Sequence, residues 1–258
     1  MCGCRPLTEE MRRALVQPLQ AIFSCNLTLI DRRLFVHDFL RQEWTKDLMF
    51  SLAQFRHCNR RRPARTLAKC LQPLVSKCRR SDIVATKVIR LHMSFVDQLL
   101  SADPALRLIH VVRDPRGMVA SWTRAAARRR RRLSLKQMRL NARLICRRMM
   151  TDCRIRRQLL EPKYPRRILV VRYEDLVASA GAVVRDVYSG LLQLALPSDV
   201  VDVINDQLNA TSANGPAGTR RTNGTATATN WRRTIDTSLL SYTTQACRLL
   251  LAELNYDL

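Results

Sequence analysis

One stretch constrains this chain more than any other: LRLIHVVRDPRGMVASW, residues 106–122. Five consecutive apolar or weakly polar residues, Leu108–Val112, stop at an arginine. The Asp114-Pro115 pair then turns the chain, and a helical pattern follows. A continuous apolar run of this length bounded by turn signals reads as a buried parallel strand. A strand that feeds a helix through a tight turn belongs to an α/β layer structure. Such a turn presents free backbone N–H groups at the positive end of a helix dipole. Arg113 adds a planar fork of donors at the strand end. Ser121, eight residues on, brings a hydroxyl about two helical turns into the helix. Arginine, hydroxyl and helix start together make a phosphate-binding arrangement.

Two further segments fit that plan. Ile168–Arg172 (ILVVR) reads as a second short buried strand, and Arg172-Tyr173-Glu174-Asp175-Leu176 clusters charges at its end. Ligands of open α/β sheets bind at the carboxyl ends of strands. Ile83–Leu91 is rich in β-branched residues and reads as a third strand, carrying Lys87 and Arg90 as candidate cations for an anionic substrate. Around these strands the spacing of apolar residues predicts helices over 8–23, 94–100, 116–124, 136–160, 180–193, 198–206 and 236–253, with one or two more in 32–55. Residues 56–80, interrupted by Pro63 and Pro73, read as a loop with a short helix. The Gly/Thr/Asn-rich residues 211–230 read as a loop.

Charge narrows the function classes. The net charge of +24 suggests a polyanion partner. The charge is localised, however. Residues 124–157 hold 14 Lys/Arg and one acid, and residues 56–80 hold nine and no acid, so the rest of the chain is nearly neutral. Only 5% of residues are aromatic, too few for a stacking surface for single strands. A nucleic-acid role is therefore disfavoured. The five-arginine run Arg128–Arg132 reads as a solvated stretch, with an acidic glycan as the alternative ligand.

The nine cysteines and four histidines show no zinc spacing, so no metal site is expected. Three N-glycosylation sequons begin at Asn26, Asn209 and Asn223. With so many cysteines they point to an oxidising, secretory compartment. The first 20 residues carry no signal-peptide core, and no run of 18 apolar residues occurs.

The motifs carry a resemblance. Arg113-Asp114-Pro115-Arg116 through Ser121, with RYEDL behind it, resembles the Golgi carbohydrate sulfotransferases of the galactose/N-acetylglucosamine 6-O type. Weaker likenesses are the Lys87–Arg90 strand, the Asn-rich loop leading from Asn223 to Trp231-Arg232, and Cys247 in a helix closing on Leu254-Asn255-Tyr256. The resemblance covers roughly residues 10–258. It implies a three-layer, P-loop-NTPase-like α/β fold, a parallel sheet flanked by helices, in a single domain over 1–258. It implies transfer of sulfate from 3′-phosphoadenosine 5′-phosphosulfate (PAPS) to a glycan hydroxyl, without a metal. Arg113 and Ser121 would hold the 3′-phosphate, with Arg116, Trp231 and Arg221 as further cofactor residues and Lys87 and Arg90 nearer the acceptor. The family's Ser/Gly-rich 5′-phosphosulfate loop has no counterpart in these 258 residues. The expectation is therefore an N-terminally truncated enzyme, whose full-length form is a type II membrane protein of the Golgi lumen. The alternative is a non-catalytic chain that binds PAP or a polyanion. Glu174 is a tempting base but reads better as a structural acid, and the catalytic group stays unassigned. Cys146 and Cys247 form a candidate bridge.

Overall fold

In a computed structural model, the described residues are 9–30, 67–89, 91–128, 130, 133–209 and 223–257. They belong to two compact units, Met1–Asp103 and Pro104–Leu258. The helices expected in 32–55, with Arg90 and Arg221, lie outside the described residues.

The first unit contains α1 (Glu9–Phe23), α2 (Leu67–Arg79) and α3 (Val96–Ala102). Leu71 and Leu74 of α2 pack with Ala21, Leu27 and Ile30 in one apolar cluster. Cys25 is bridged to Cys78, Cα atoms 5.7 Å apart, which pins the end of α1 to the end of α2. The short helix expected within 56–80 runs for 13 residues from Leu67, with Pro73 inside it, and residues 56–66 lie outside the described residues. Its buried apolar stripe outweighs the missing N–H. The strand expected over Ile83–Leu91 does not form. Residues 83–89 are non-helical and pair with no described strand, and Ile83, Val88 and Ile89 stand exposed. A β-branched composition marks a fit to a pleated neighbour, so without a ladder partner it yields no strand. Lys87 is exposed on this run.

The second unit is built on two parallel strands, β1 (Leu108–Val112) and β2 (Ile168–Arg172), paired Leu108 to Ile168 through Val112 to Arg172. Between them run α4 (Pro115–Arg128) and the 21-residue α5 (Leu135–Ile155), so the unit has the helix-connected parallel pairing of an α/β fold. After β2 come α6 (Tyr173–Ala178), α7 (Ala180–Arg185), α8 (Val200–Leu208), α9 (Gly224–Thr229), α10 (Trp231–Thr234), α11 (Thr237–Ala246) and α12 (Arg248–Glu253). β1 is not buried on both faces as expected, since Ile109 and Val111 are 42% and 57% exposed.

Local chemistry sets several of the helix starts. Ser134 and Gln137 form a reciprocal capping box at α5. Asp236 accepts from the Leu239 N–H at 2.9 Å to start α11. Asn223 accepts from the Ala226 N–H at 2.7 Å to start α9. The stretch expected as loop at 211–230 therefore holds a helix in its last third, because Asn223 supplies a cap and Gly224 and Ala228 are buried. The core gathers Val112, Cys146, Leu250, Leu251 and Leu254. Cys146 is bridged to Cys247, Cα atoms 5.1 Å apart, which joins α5 to the α11–α12 junction.

Candidate nucleotide and sugar site

The turn after β1 is organised by its own residues. Asp114, 2% exposed, caps α4 by accepting from the Arg116 N–H at 2.8 Å. Pro115 occupies the first helical position, where a missing N–H costs nothing. Arg116 folds back on the same carboxylate, with its Nη2 2.8 Å and its Nε 3.1 Å from Asp114. Its Nη2 also donates to the Asp257 carbonyl at 2.7 Å. A buried carboxylate paired in this way keeps its charge satisfied. The N–H of Asp114 donates to Glu174 at 3.2 Å. The Asp114 and Arg116 N–H groups of this turn are therefore already used inside the fold.

Glu174 is a tie rather than a free acid. Its second oxygen accepts from the Tyr256 hydroxyl at 2.7 Å, so RDPR, RYEDL and the C-terminal Leu-Asn-Tyr meet at one carboxylate. Burial and that hydrogen bond push the Tyr256 phenol well above its ordinary range. Arg172 stacks over the Tyr256 ring at 4.2 Å.

Arg113 behaves differently from Arg116. Its guanidinium lies over the Tyr173 ring at 4.6 Å, and its buried Nε has no hydrogen-bond partner. Ser121, on α4, is exposed. A π-stacked guanidinium keeps its in-plane donors available for an anion.

Trp231 is 5% exposed and stands between two guanidiniums, Arg116 at 5.2 Å and Arg232 at 4.9 Å. It packs directly on Gly117, where a Cβ would lie 2.9 Å from the indole. Only glycine lets the indole approach α4 this closely. Trp231 walls two cavities. One, about 520 Å³, opens onto Arg232 and the outer side of α11. The other, about 190 Å³, lies over Asp114, Arg172, Glu174 and Tyr256. Neither is lined by Arg113 or Ser121. The structure thus joins Arg116 to Trp231 around one cavity and places Arg113 on Tyr173. Sequence reasoning missed Gly117, Tyr173 and the polar side of α11. The glycine following RDPR was the available signal for the first of these.

Among the described residues no group of three or more His, Cys, Asp or Glu side chains is placed to hold a metal ion. No described helix is long and apolar enough to cross a membrane. The asparagines of the three sequons, Asn26, Asn209 and Asn223, are all exposed.

Residues 13–194 match the model of the sulfotransferase family. The chain belongs to that family. It is 32% identical over 198 residues to carbohydrate sulfotransferase 1 of Danio rerio, covering 69% of this chain and 45% of the relative. It is 31% identical over 193 residues to carbohydrate sulfotransferase 1 of Homo sapiens, covering 70% and 46%. The chain thus matches a little under half the length of these curated relatives. No solved structure matches it. The sulfotransferase-family match runs through both compact units and includes the RDPR turn, Ser121 and RYEDL.

Proposed function

We propose that this chain serves a carbohydrate sulfotransferase that takes sulfate from PAPS and places it on a sugar hydroxyl, the 6-O of galactose or N-acetylglucosamine. The observation that carries the reading is Arg113, stacked on Tyr173 with no hydrogen-bond partner for its buried Nε, at the carboxyl end of β1. A phosphate would satisfy that fork. Arg113 and the exposed Ser121 hydroxyl take the nucleotide's 3′-phosphate. Arg116 is committed to Asp114 and Asp257, so it shapes the turn instead of touching phosphate. Trp231 and Arg232 form the wall beyond it, and Arg221, Lys87 and Arg90 remain secondary candidates.

PAPS supplies the activated sulfuryl group. The chain's own residues bind the nucleotide and orient the acceptor, and cationic side chains offset charge developing on the leaving oxygen. Both oxygens of Glu174 accept hydrogen bonds within the fold, which favours its structural role over that of a base.

The match to one family across both units supports a single sulfotransferase domain. The Cys25–Cys78 and Cys146–Cys247 disulfides and the three exposed sequons support a secretory home, the Golgi lumen. A non-catalytic, PAP-binding role is the second reading.

Retention on PAP-agarose tests the nucleotide site. Arg113→Ala should weaken retention about tenfold or more, the scale of a charged hydrogen bond. Deletion of Arg128–Arg132 should leave it intact. Unchanged retention of Arg113→Ala would refute the assignment. Transfer of labelled sulfate to a galactose or N-acetylglucosamine acceptor then separates an enzyme from a binder.

A further inference from the structure

The 21-residue α5 carries a face that neither the core nor the nucleotide site uses. The helix buries Ala142, Cys146 and Cys153 along one side. On the opposite side Lys136, Arg143, Arg147 and Arg154 are all exposed. At about 100° per residue these four lie within about 20° of one line, and at about 1.5 Å per residue they span about 27 Å. Leu140 and Leu144 stand beside the row, 56% and 53% exposed and one helical turn apart. Arg128 and Arg130 are exposed just ahead of the helix.

The charge of this face is uncompensated. None of the four cations has an acidic partner among the described residues. The single acid of α5, Asp152, sits about 160° round the helix from the row. Arg157, just beyond the helix, is paired with Glu253 at 2.9 Å, so the uncompensated row ends at Arg154. A uniformly cationic row calls for a uniformly anionic partner. A helix side is convex, so that partner is a broad surface rather than an enclosed ligand. The leucines decide which kind. A hydrated sulfated chain or a nucleic-acid backbone gains nothing from two bare leucines set among the cations. An anionic bilayer gains from both side-chain types. Arginine and lysine stems reach sideways to lipid phosphates, while leucines enter the boundary between headgroups and acyl chains.

We propose that the exposed face of α5 is a docking surface for an anionic lipid bilayer, with Lys136, Arg143, Arg147 and Arg154 on lipid phosphates and Leu140 and Leu144 at the headgroup boundary. Arg128 and Arg130 extend the contact at the N-terminal end of the helix. The helix lies on the bilayer and does not cross it, in keeping with its charge. Binding by a few cations and two leucines is reversible and weakened by salt. The proposal is independent of the sulfotransferase reading, since none of these residues lines either cavity walled by Trp231.

Co-sedimentation of the full chain with vesicles tests it, using phosphatidylcholine alone and an equimolar mixture of phosphatidylcholine and phosphatidylserine. The wild-type chain should sediment with the mixed vesicles and stay in solution with the neutral ones, and added salt should release it. The double variant Arg143→Gln, Arg147→Gln should weaken binding about twentyfold, at about fivefold per cation. The double variant Arg79→Gln, Arg80→Gln removes the same charge from exposed positions in the first unit and should weaken it about twofold at most. The double variant Leu140→Gln, Leu144→Gln keeps every charge. It should weaken vesicle binding about tenfold and leave retention on a sulfonated cation-exchange resin unchanged. Equal sedimentation of the wild type with neutral and mixed vesicles, or none with either, overturns the proposal. Equal losses in the α5 and first-unit arginine variants also overturn it, since net charge alone would then explain binding. Unchanged vesicle binding in the leucine variant overturns it too and gives the face to a hydrated polyanion. All the substituted side chains are exposed, and circular dichroism verifies each fold. The wild-type comparison and the leucine variant decide the matter should the arginine variant fail to fold.

Discussion

Gly117 shows how much one missing methyl group can carry. An alanine there would place its Cβ 2.9 Å from the Trp231 indole, inside the contact distance that packed side chains tolerate. Trp231 is buried and held between two guanidiniums, so it has little room to retreat. Gly117→Ala should therefore destabilise the second unit by about 1–3 kcal/mol, the range of overpacked cores. It should also alter tryptophan fluorescence, because the same ring walls both cavities. A thermal melt and an emission spectrum check this together, and an unchanged spectrum would show that the indole is not seated on α4. The neighbouring arginines teach a related lesson. Arg113 and Arg116 look alike in the RDPR string, yet one has a free fork and the other is consumed by Asp114 and Asp257. Residue type announces a cation; only the neighbours decide whether its charge remains on offer.

At the scale of elements, α4, α5, β1 and β2 were legible in the sequence because each is specified locally. Asp114-Pro115 caps and starts α4, and Ser134 with Gln137 starts α5. The apolar period of α5 carries the rest of its length. The run 83–89 was misread because a strand needs a neighbour, and composition does not say whether one is there. The helices within 223–234 were missed because Gly, Thr and Asn are poor helix formers, and burial of Gly224, Ala228 and Trp231 overrides that preference. The Cys146–Cys247 bridge ties α5 to the α11–α12 junction across 101 residues. Chain-entropy arguments assign a loop of that length about 4–5 kcal/mol. Cys146→Ser should lower stability on that scale and should loosen the Ser241–Arg248 face along with it. Denaturant melts of the oxidised protein check the first expectation, and faster amide hydrogen exchange along α11 and α12 checks the second.

The whole molecule has a pH dependence written into its sheet. His110, on β1, is mostly buried, and burial with the nearby Arg156 lowers its pKa to about 4, against 6.5 for a free imidazole. The folded state therefore keeps His110 neutral, while the unfolded chain protonates it below about pH 6.5. Its contribution to stability is complete above that pH and is lost as pH falls from 6.5 towards 4, by at most about 3 kcal/mol. Melts of wild type and His110→Gln across pH 7.5 to 4.5 should converge as pH falls; parallel curves would show that another group controls acid sensitivity. Location belongs to the same scale. Expressed in a secretory pathway, the chain should gain mass that an N-glycosidase removes, because Asn26, Asn209 and Asn223 are all exposed. Asn223 can be modified and still start α9, since its cap uses the side-chain oxygen.

The sequence by itself determined the strand–turn–helix at RDPR, the parallel α/β character, the sulfotransferase likeness and the candidate anion-binding pair Arg113 and Ser121. Those follow from local rules, since caps, apolar period and short motifs are readable within a few residues. Only the tertiary structure decided that Arg116 also binds the Asp257 carbonyl, that Glu174 is a tie between three segments, and that Trp231 walls two cavities. Whether a charged or polar group is free or satisfied depends on partners brought close by folding from 60 to 141 residues away. No local pattern encodes that proximity.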